Sequence, residues 1–280
     1  MQYVSFIDGT TPLVLDSPHS GVQYPDDFCY VCDLATLRRA EDTHVEKLYS
    51  FAPALGCAWV EAHFPRSYLD ANRNTTEVDP DMLDGLWPHP VDMGDPMVLS
   101  KRRLGKGLIW RATDDGQPLY NRKLSVVQVQ RRITQCWHPY HAAVAQAIAA
   151  AHERHGYNIH LNCHSMPAVA ASHATDFPGV EHADFVLGNR DNTTCSEGLL
   201  LHISELLAQY GYSVALNNPY KGVELVRRYS KPAQHRHSVQ IEINRKLYMD
   251  EQTLALLPGF NTLQQHLRSL VQALLKFDPR

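Results

Sequence analysis

Residues 158–166 alternate. Ile159, Leu161 and Cys163 take every second place, and His160, Asn162 and His164 take the places between. A period of two marks a strand with one face in a core and the other open to polar partners. Gly156 precedes the run and Pro167 closes it, and both residue types punctuate regular structure. Residues 238–245 repeat the pattern, with Val239, Ile241 and Ile243 on one side and Gln240, Glu242 and Asn244 on the other. Glutamate is depleted in strands, so Glu242 calls for a reason. A histidine where a strand leaves the sheet is well placed for chemistry in an α/β fold. The chain is therefore read as a scaffold that brings further groups to His164.

Four more runs read as strands, 13–16, 57–62, 183–188 and 212–216, each beside turn residues. Segment 66–70 reads as another, running into Ala71-Asn72-Arg73-Asn74. Thr43 and Glu46 have capping-box spacing, and Val45, Leu48 and Phe51 follow at helical intervals. A helix is thus expected to start near Thr43, with Asp42 in the loop just outside that start. A helix is also expected over 197–209, stopped by Gly211, and an amphipathic helix or helix pair over 251–277. Residues 119–154 are helical in composition, with Pro139 ending or kinking the helix. His138 and His141 lack the glutamate of a zincin pair and read as structural. The stretch 74–118, rich in Pro, Gly, Asp and Met, reads as a loop-rich insert near the pocket. Strands alternating with helices predict a single three-layer α/β/α domain over residues 1–280.

Composition narrows the function. With 44% hydrophobic residues in 280, an ordinary globular core is available. A net charge of −4 argues against nucleic acid or another polyanion as partner. No apolar run approaches the roughly 18 residues of a membrane span. The start, Met1-Gln2-Tyr3-Val4-Ser5, lacks the basic and apolar regions of a signal peptide, so a cytoplasmic location is expected. The six cysteines are thinly spread and read as mostly buried thiols; Cys29-x-x-Cys32 has no second pair to complete a zinc site.

Unusual polar residues at strand ends make a short list: His19, Asp42, Asn72, Arg73, His164 and Glu242. Two imidazoles and one carboxylate suit zinc with one coordination position open. Such a metal activates water and polarises a carbonyl. Glu242 can take the water's proton and pass it to a leaving amine. Arg73 can clamp a carboxylate with its guanidinium fork, or else pair with Glu77, Asp79 or Asp81. His160, His63, Glu41 and Glu61 compete as ligands. No G-x-S-x-G surrounds any serine, which disfavours serine chemistry.

Five segments, in order over nearly the whole chain, resemble the N-formylglutamate amidohydrolase family. They are Ser17-Pro18-His19-Ser20-Gly21; Asp42-Thr43-His44-Val45; Asp70-Ala71-Asn72-Arg73; Asn162-Cys163-His164-Ser165-Met166 followed by Asn218-Pro219-Tyr220-Lys221-Gly222; and Gln240-Ile241-Glu242-Ile243-Asn244-Arg245 with Leu247-Tyr248-Met249. The resemblance implies a mixed, twisted sheet between helices, similar to zinc carboxypeptidases. It implies that His19, Asp42 and His164 bind the metal, that Glu242 is the general base and that Asn72-Arg73 binds a substrate α-carboxylate. It implies hydrolysis of N-formyl-L-glutamate to formate and L-glutamate in histidine degradation. A second substrate carboxylate needs a second cation: Arg66, Lys221, Arg227, Arg228 and Arg245 are candidates, with Arg227 and Arg245 foremost. Zinc is the expected cofactor, although histidine and carboxylate ligands also suit other divalent metals. The competing expectations are a deacylase of another N-acyl amino acid and a non-catalytic metal-binding protein on the same fold. A general base at Glu242 argues against the second. Two positions depart from the family pattern: Asn162 stands where an aspartate is frequent, and Lys221 where a glycine is more usual.

Overall fold

The computed structural model describes residues 2–170 and 178–280. Its strands are β1 (Val4–Ile7), β2 (Leu13–Ser17), β3 (Ala58–Ala62), β4 (Leu83–Asp84), β5 (Leu124–Ser125), β6 (Asn158–Met166), β7 (Phe185–Gly188), β8 (Val214–Leu216) and β9 (Arg236–Asn244). Its α-helices are α1 (Leu34–Arg38), α2 (Val45–Leu48), α3 (Pro96–Arg103), α4 (Val126–Arg132), α5 (His138–His155), α6 (Glu197–Gln209), α7 (Glu224–Tyr229) and α8 (Gly259–Leu274). The chain divides into two compact units. One is Met1–Ser5, Pro18–Glu41 and Glu61–Ala142; the other is Phe6–Ser17, Asp42–Val60 and Ala143–Arg280.

Among the described residues, seven strands form one sheet in the order β1-β3-β2-β6-β9-β7-β8. Strands β2, β6 and β9 are parallel, whereas β7 runs antiparallel to β9 and parallel to β8. The sheet is mixed, with helices flanking it, as expected. Register fixes what each face carries. Asp16 pairs with Asn162, Asn162 with Gln240, and His164 with Glu242. Paired residues share a face, so these five polar side chains lie together. The opposite face presents Leu13, Leu15, Ile159, Leu161, Val239 and Ile241, all fully buried, to a core that α6 and α8 complete with Leu199, Ile203, Leu267 and Leu270. Each such side chain contributes about 2 kcal/mol of burial.

Two local expectations are corrected. Helix α2 begins at Val45, near the expected start, but no side chain caps it. His44 adopts φ 69° and its Nε2 lies 2.8 Å from the Leu254 carbonyl, while the Tyr248 hydroxyl donates to the Thr43 carbonyl at 3.0 Å. Tertiary contacts thus override the capping pattern. The expected strand at 66–70 is a turn, with the Tyr68 N–H on the Pro65 carbonyl at 3.0 Å. Residues 119–154 hold β5, α4, a π turn at Ile133–Trp137 and α5. The π turn precedes Pro139, where a donor is missing and the preceding turn is crowded. The stretch 74–118 contains α3, which begins with Pro96 after an Asp95 cap.

In the unit containing residues 61–142, the turn at 68–73 is held by one helix. Arg132 Nη1 donates to the Tyr68 carbonyl at 3.0 Å and Trp137 Nε1 to the Arg73 carbonyl at 2.9 Å; His141 Nε2 lies 2.9 Å from the Ala71 carbonyl. Arg132 and Trp137 are five apart, a spacing that an α-helix turns apart and a π turn brings to one side. Arg132 is fully buried, its guanidinium 4.0 Å from the Tyr68 ring centroid and 5.6 Å from that of Phe28.

His237 on β9 is buried, and its Nδ1 accepts the Ser196 N–H at 3.2 Å. Its Nε2 has no hydrogen-bond partner among the described residues. Burial, with the neighbouring His235 charge adding, pushes its pKa down to about 4. An unfolded histidine titrates near 6.5, so between the two values the unfolded chain holds a proton that the fold lacks. This contribution is intact above about pH 6.5 and is lost as pH falls toward 4. Between pH 7 and pH 5 the loss is about 2 kcal/mol. His237→Asn keeps an acceptor for Ser196 and should shrink the pH 7-to-5 difference in unfolding free energy by about that amount. Urea titrations at both pH values check it; an unchanged difference would contradict the assignment.

Candidate metal centre

The polar face of β6 ends at His164, and β9 sets Glu242 opposite it. His164 is 2% exposed. Its Nδ1 lies 3.0 Å from Asp42 Oδ2 and its Nε2 2.7 Å from Asn162 Oδ1. Asp42 leaves the loop before α2, and its other oxygen accepts from Arg245 Nη2 at 3.1 Å. Arg245 Nε donates to Ser165 Oγ at 3.1 Å. Glu242 Oε1 accepts from Gln240 Nε2 at 2.7 Å. Glu242 thus has a partner on its own strand that helps hold a carboxylate there.

In the other unit, His19 follows β2 by two residues and its Nε2 lies 2.6 Å from Asp70 Oδ1. Asp70 is fully buried and also accepts from the Asn72 N–H at 2.9 Å and from Arg66 Nη2 at 3.3 Å. Burial alone would raise its pKa; the charges of His19, Arg73 and Arg66 outweigh that and hold the carboxyl well below the usual range. Asn72 and Arg73 are buried beside it. Arg73 Nη1 donates to the Asn72 carbonyl at 3.1 Å, Nε donates to the Lys106 carbonyl at 3.3 Å, and the side chain stands 3.7 Å from Glu77 Oε2.

Asp42 and His164 are buried side by side in one unit, and His19 is buried in the other. The three offer donors for a metal ion, and their surroundings fit one. Two imidazoles and a carboxylate suit a divalent cation, and each histidine has its Nε2 engaged by an outer partner, Asp70 or Asn162, as metal-ligating histidines usually do.

The competing residues go elsewhere. Glu41 accepts from the Tyr24 hydroxyl and from Arg38 Nε at 3.4 Å. His160 lies within the sheet, 2.9 Å from Asp16 and 3.1 Å from Ser238. His63 stands 3.4 Å from Glu61. Arg227 is half exposed on α7, with its Nε donating to Glu224 at 3.0 Å. Cys29 and Cys32 are free thiols. Sequence reading missed the supporting contacts of Asp70 and Gln240. Gln240 had a signal, since it lies two residues before Glu242 on the same side of a strand.

Residues 11–249 match the family model for N-formylglutamate amidohydrolase. The N-formylglutamate deformylase of Pseudomonas aeruginosa is 29% identical over 257 residues, which cover 90% of this chain and 87% of that one. The corresponding deformylase of Pseudomonas putida is 29% identical over 255 residues, 89% of this chain and 85% of that one. The crystal structure of N-formylglutamate amidohydrolase from Ralstonia eutropha JMP134 superposes with a TM-score of 0.92 at 44% identity, over 99% of this chain and 98% of that chain. Sheet, site and relatives together define a hydrolase of the amidohydrolase class. The chain belongs to the N-formylglutamate amidohydrolase family. Among the described residues no helix is long and apolar enough to cross a membrane.

Proposed function

We propose that this protein is a metal-dependent amidohydrolase that cleaves N-formyl-L-glutamate to formate and L-glutamate, as a step of histidine degradation in the cytoplasm. The carrying observation is the buried Asp42–His164 pair in a chain whose relatives are N-formylglutamate deformylases. His19, Asp42 and His164 would hold the ion, with zinc the first candidate. When bound, such an ion supplies Lewis-acid chemistry, polarising a carbonyl oxygen and acidifying water.

The side chains do the rest. Glu242 accepts a proton from water as the water oxygen bonds to the formyl carbon. It then returns that proton to the amide nitrogen as the C–N bond breaks, leaving formate and the free amine. Gln240 holds Glu242 Oε1 during the transfer. Asn72 and Arg73 receive the α-carboxylate. Arg227 and Arg245 are the candidates for the side-chain carboxylate. Arg227 is favoured, because it is half exposed while Arg245 is buried against Asp42 and Ser165.

The test is hydrolysis of N-formyl-L-glutamate and N-acetyl-L-glutamate, before and after chelation, with metal content read on the same samples. The proposal expects turnover of the formyl substrate, lost on chelation and restored by zinc. Turnover by metal-free protein would remove the metal role, and preference for the acetyl compound would reassign the substrate. In the same assay Arg73→Ala should lower kcat/KM about 30-fold, the equivalent of losing a charge-assisted pair of about 2 kcal/mol.

A further inference from the structure

We infer that Asp16 and His160 are positioning residues for His164, acting through Asn162 to keep a proton on His164 Nε2 and leave Nδ1 facing Asp42. The inference rests on the metal reading above for its consequence, though not for its geometry.

The argument begins with register. Asp16 and Asn162 are Cα partners on adjacent parallel strands, and His160 and His164 flank Asn162 on the same face of β6. Asp16, His160 and Asn162 are all fully buried. Asp16 Oδ1 lies 2.9 Å from Asn162 Nδ2 and 2.9 Å from His160 Nε2. An ionised carboxylate only accepts hydrogen bonds. Asn162 must therefore turn its amide nitrogen to Asp16, which turns Oδ1 the other way. That oxygen, also an acceptor only, meets His164 Nε2 at 2.7 Å, so Nε2 carries the hydrogen. Flipping the Asn162 amide would set two acceptor oxygens 2.9 Å apart, too close for a water to fit between them.

His160 keeps Asp16 in place. Its Nε2 donates to Asp16, and its Nδ1 takes the Ser238 hydroxyl at 3.1 Å. The chain Ser238–His160–Asp16–Asn162–His164 thus gives each hydrogen a direction. At its end His164 Nδ1 faces Asp42 Oδ2 at 3.0 Å. With the Nε2 hydrogen in place, Nδ1 is the ring atom available as a ligand, and it stands beside a second ligand atom. Asn162 does the orienting that a carboxylate often does beside a ligating histidine, and it does so because Asp16 fixes its amide.

A buried polar cluster that only stabilised the sheet would make Asp16→Asn less stable without changing His164. Two readouts separate the cases. The first is the ring-nitrogen NMR spectrum of His164, assigned by His164→Gln, with and without chelator. The second is the zinc Kd, from competition with a chromophoric chelator. In the wild type we expect an exchange-protected Nε2–H on His164. In Asp16→Asn we expect that signal to be lost and the zinc Kd to rise about 10- to 100-fold. The exchanged pair Asp16→Asn/Asn162→Asp should recover the signal and most of the affinity, since residue 162 then accepts from Nε2 directly. A wild type lacking the Nε2–H would overturn the inference without any variant. So would a folded Asp16→Asn protein with the signal and Kd unchanged. If the wild type bound no zinc, the metal reading would fail, and the ring-nitrogen spectra would still decide the role of Asp16.

Discussion

Glu242→Gln is expected to lower kcat on N-formyl-L-glutamate by about 10²- to 10⁴-fold, the range for loss of a general base, with zinc content and unfolding midpoint nearly unchanged. The substitution is almost isosteric. A glutamine at 242 still offers an oxygen to Gln240 Nε2, which now donates to Glu242 Oε1 at 2.7 Å. It removes the capacity to accept the proton of water and little else. A kcat within tenfold of wild type would move the base to another residue. A variant that lost its zinc would show instead that Glu242 acts in holding the ion.

Asp42→Ala should have two effects at once. It removes one of the three proposed ligands, so zinc binding should fall below detection at micromolar protein. It also takes a carboxylate from the buried Arg245 guanidinium, 3.1 Å away. Breaking a buried pair from one side costs about 3–5 kcal/mol, because the surviving charge stays desolvated. Urea unfolding of metal-free protein isolates that second effect. Asp42→Ala/Arg245→Met should recover much of the lost stability but none of the zinc. Unimpaired zinc binding by the single variant would exclude Asp42 as a ligand.

The sheet was legible because its centre obeys one rule twice. Residues 158–166 and 238–245 both alternate, and the structure pairs 158–166 with 236–244 residue for residue as β6 and β9. Helix α6 was equally plain, Glu197–Gln209 being a continuous helix-forming run with a Gly211 stop. The turn at 66–70 was misread for a physical reason. The turn and the residues that follow it are held by Arg132, Trp137 and His141, each more than 60 residues from its partner. Local periodicity carries no record of such partners. The capping box at Thr43 failed likewise, since the contacts that displaced it come from Leu254 and Tyr248.

Within the candidate site, residue types were readable and partnerships were not. His19, Asp42, His164 and Glu242 stood out as polar groups at strand ends. That Asp70 would meet His19, or Asp16 meet Asn162, depends on contacts across 51 and 146 residues. Glu41 stayed open beside Asp42 as an adjacent acid, with the capping pattern favouring Asp42. The fold separates them by giving Glu41 to Tyr24 and Arg38.

The turn at 68–73 allows something that a strand would forbid. A strand sends neighbours to opposite faces, so Asn72 and Arg73 could not both serve one ligand from within a ladder. Here three carbonyls are tied to a single helix, which fixes the backbone while leaving consecutive side chains free of alternation. Two adjacent residues can then grip the same carboxylate, one as an amide and one as a guanidinium. Specificity for the acid end of a substrate can in this way be written in a dipeptide and tuned from the helix behind it.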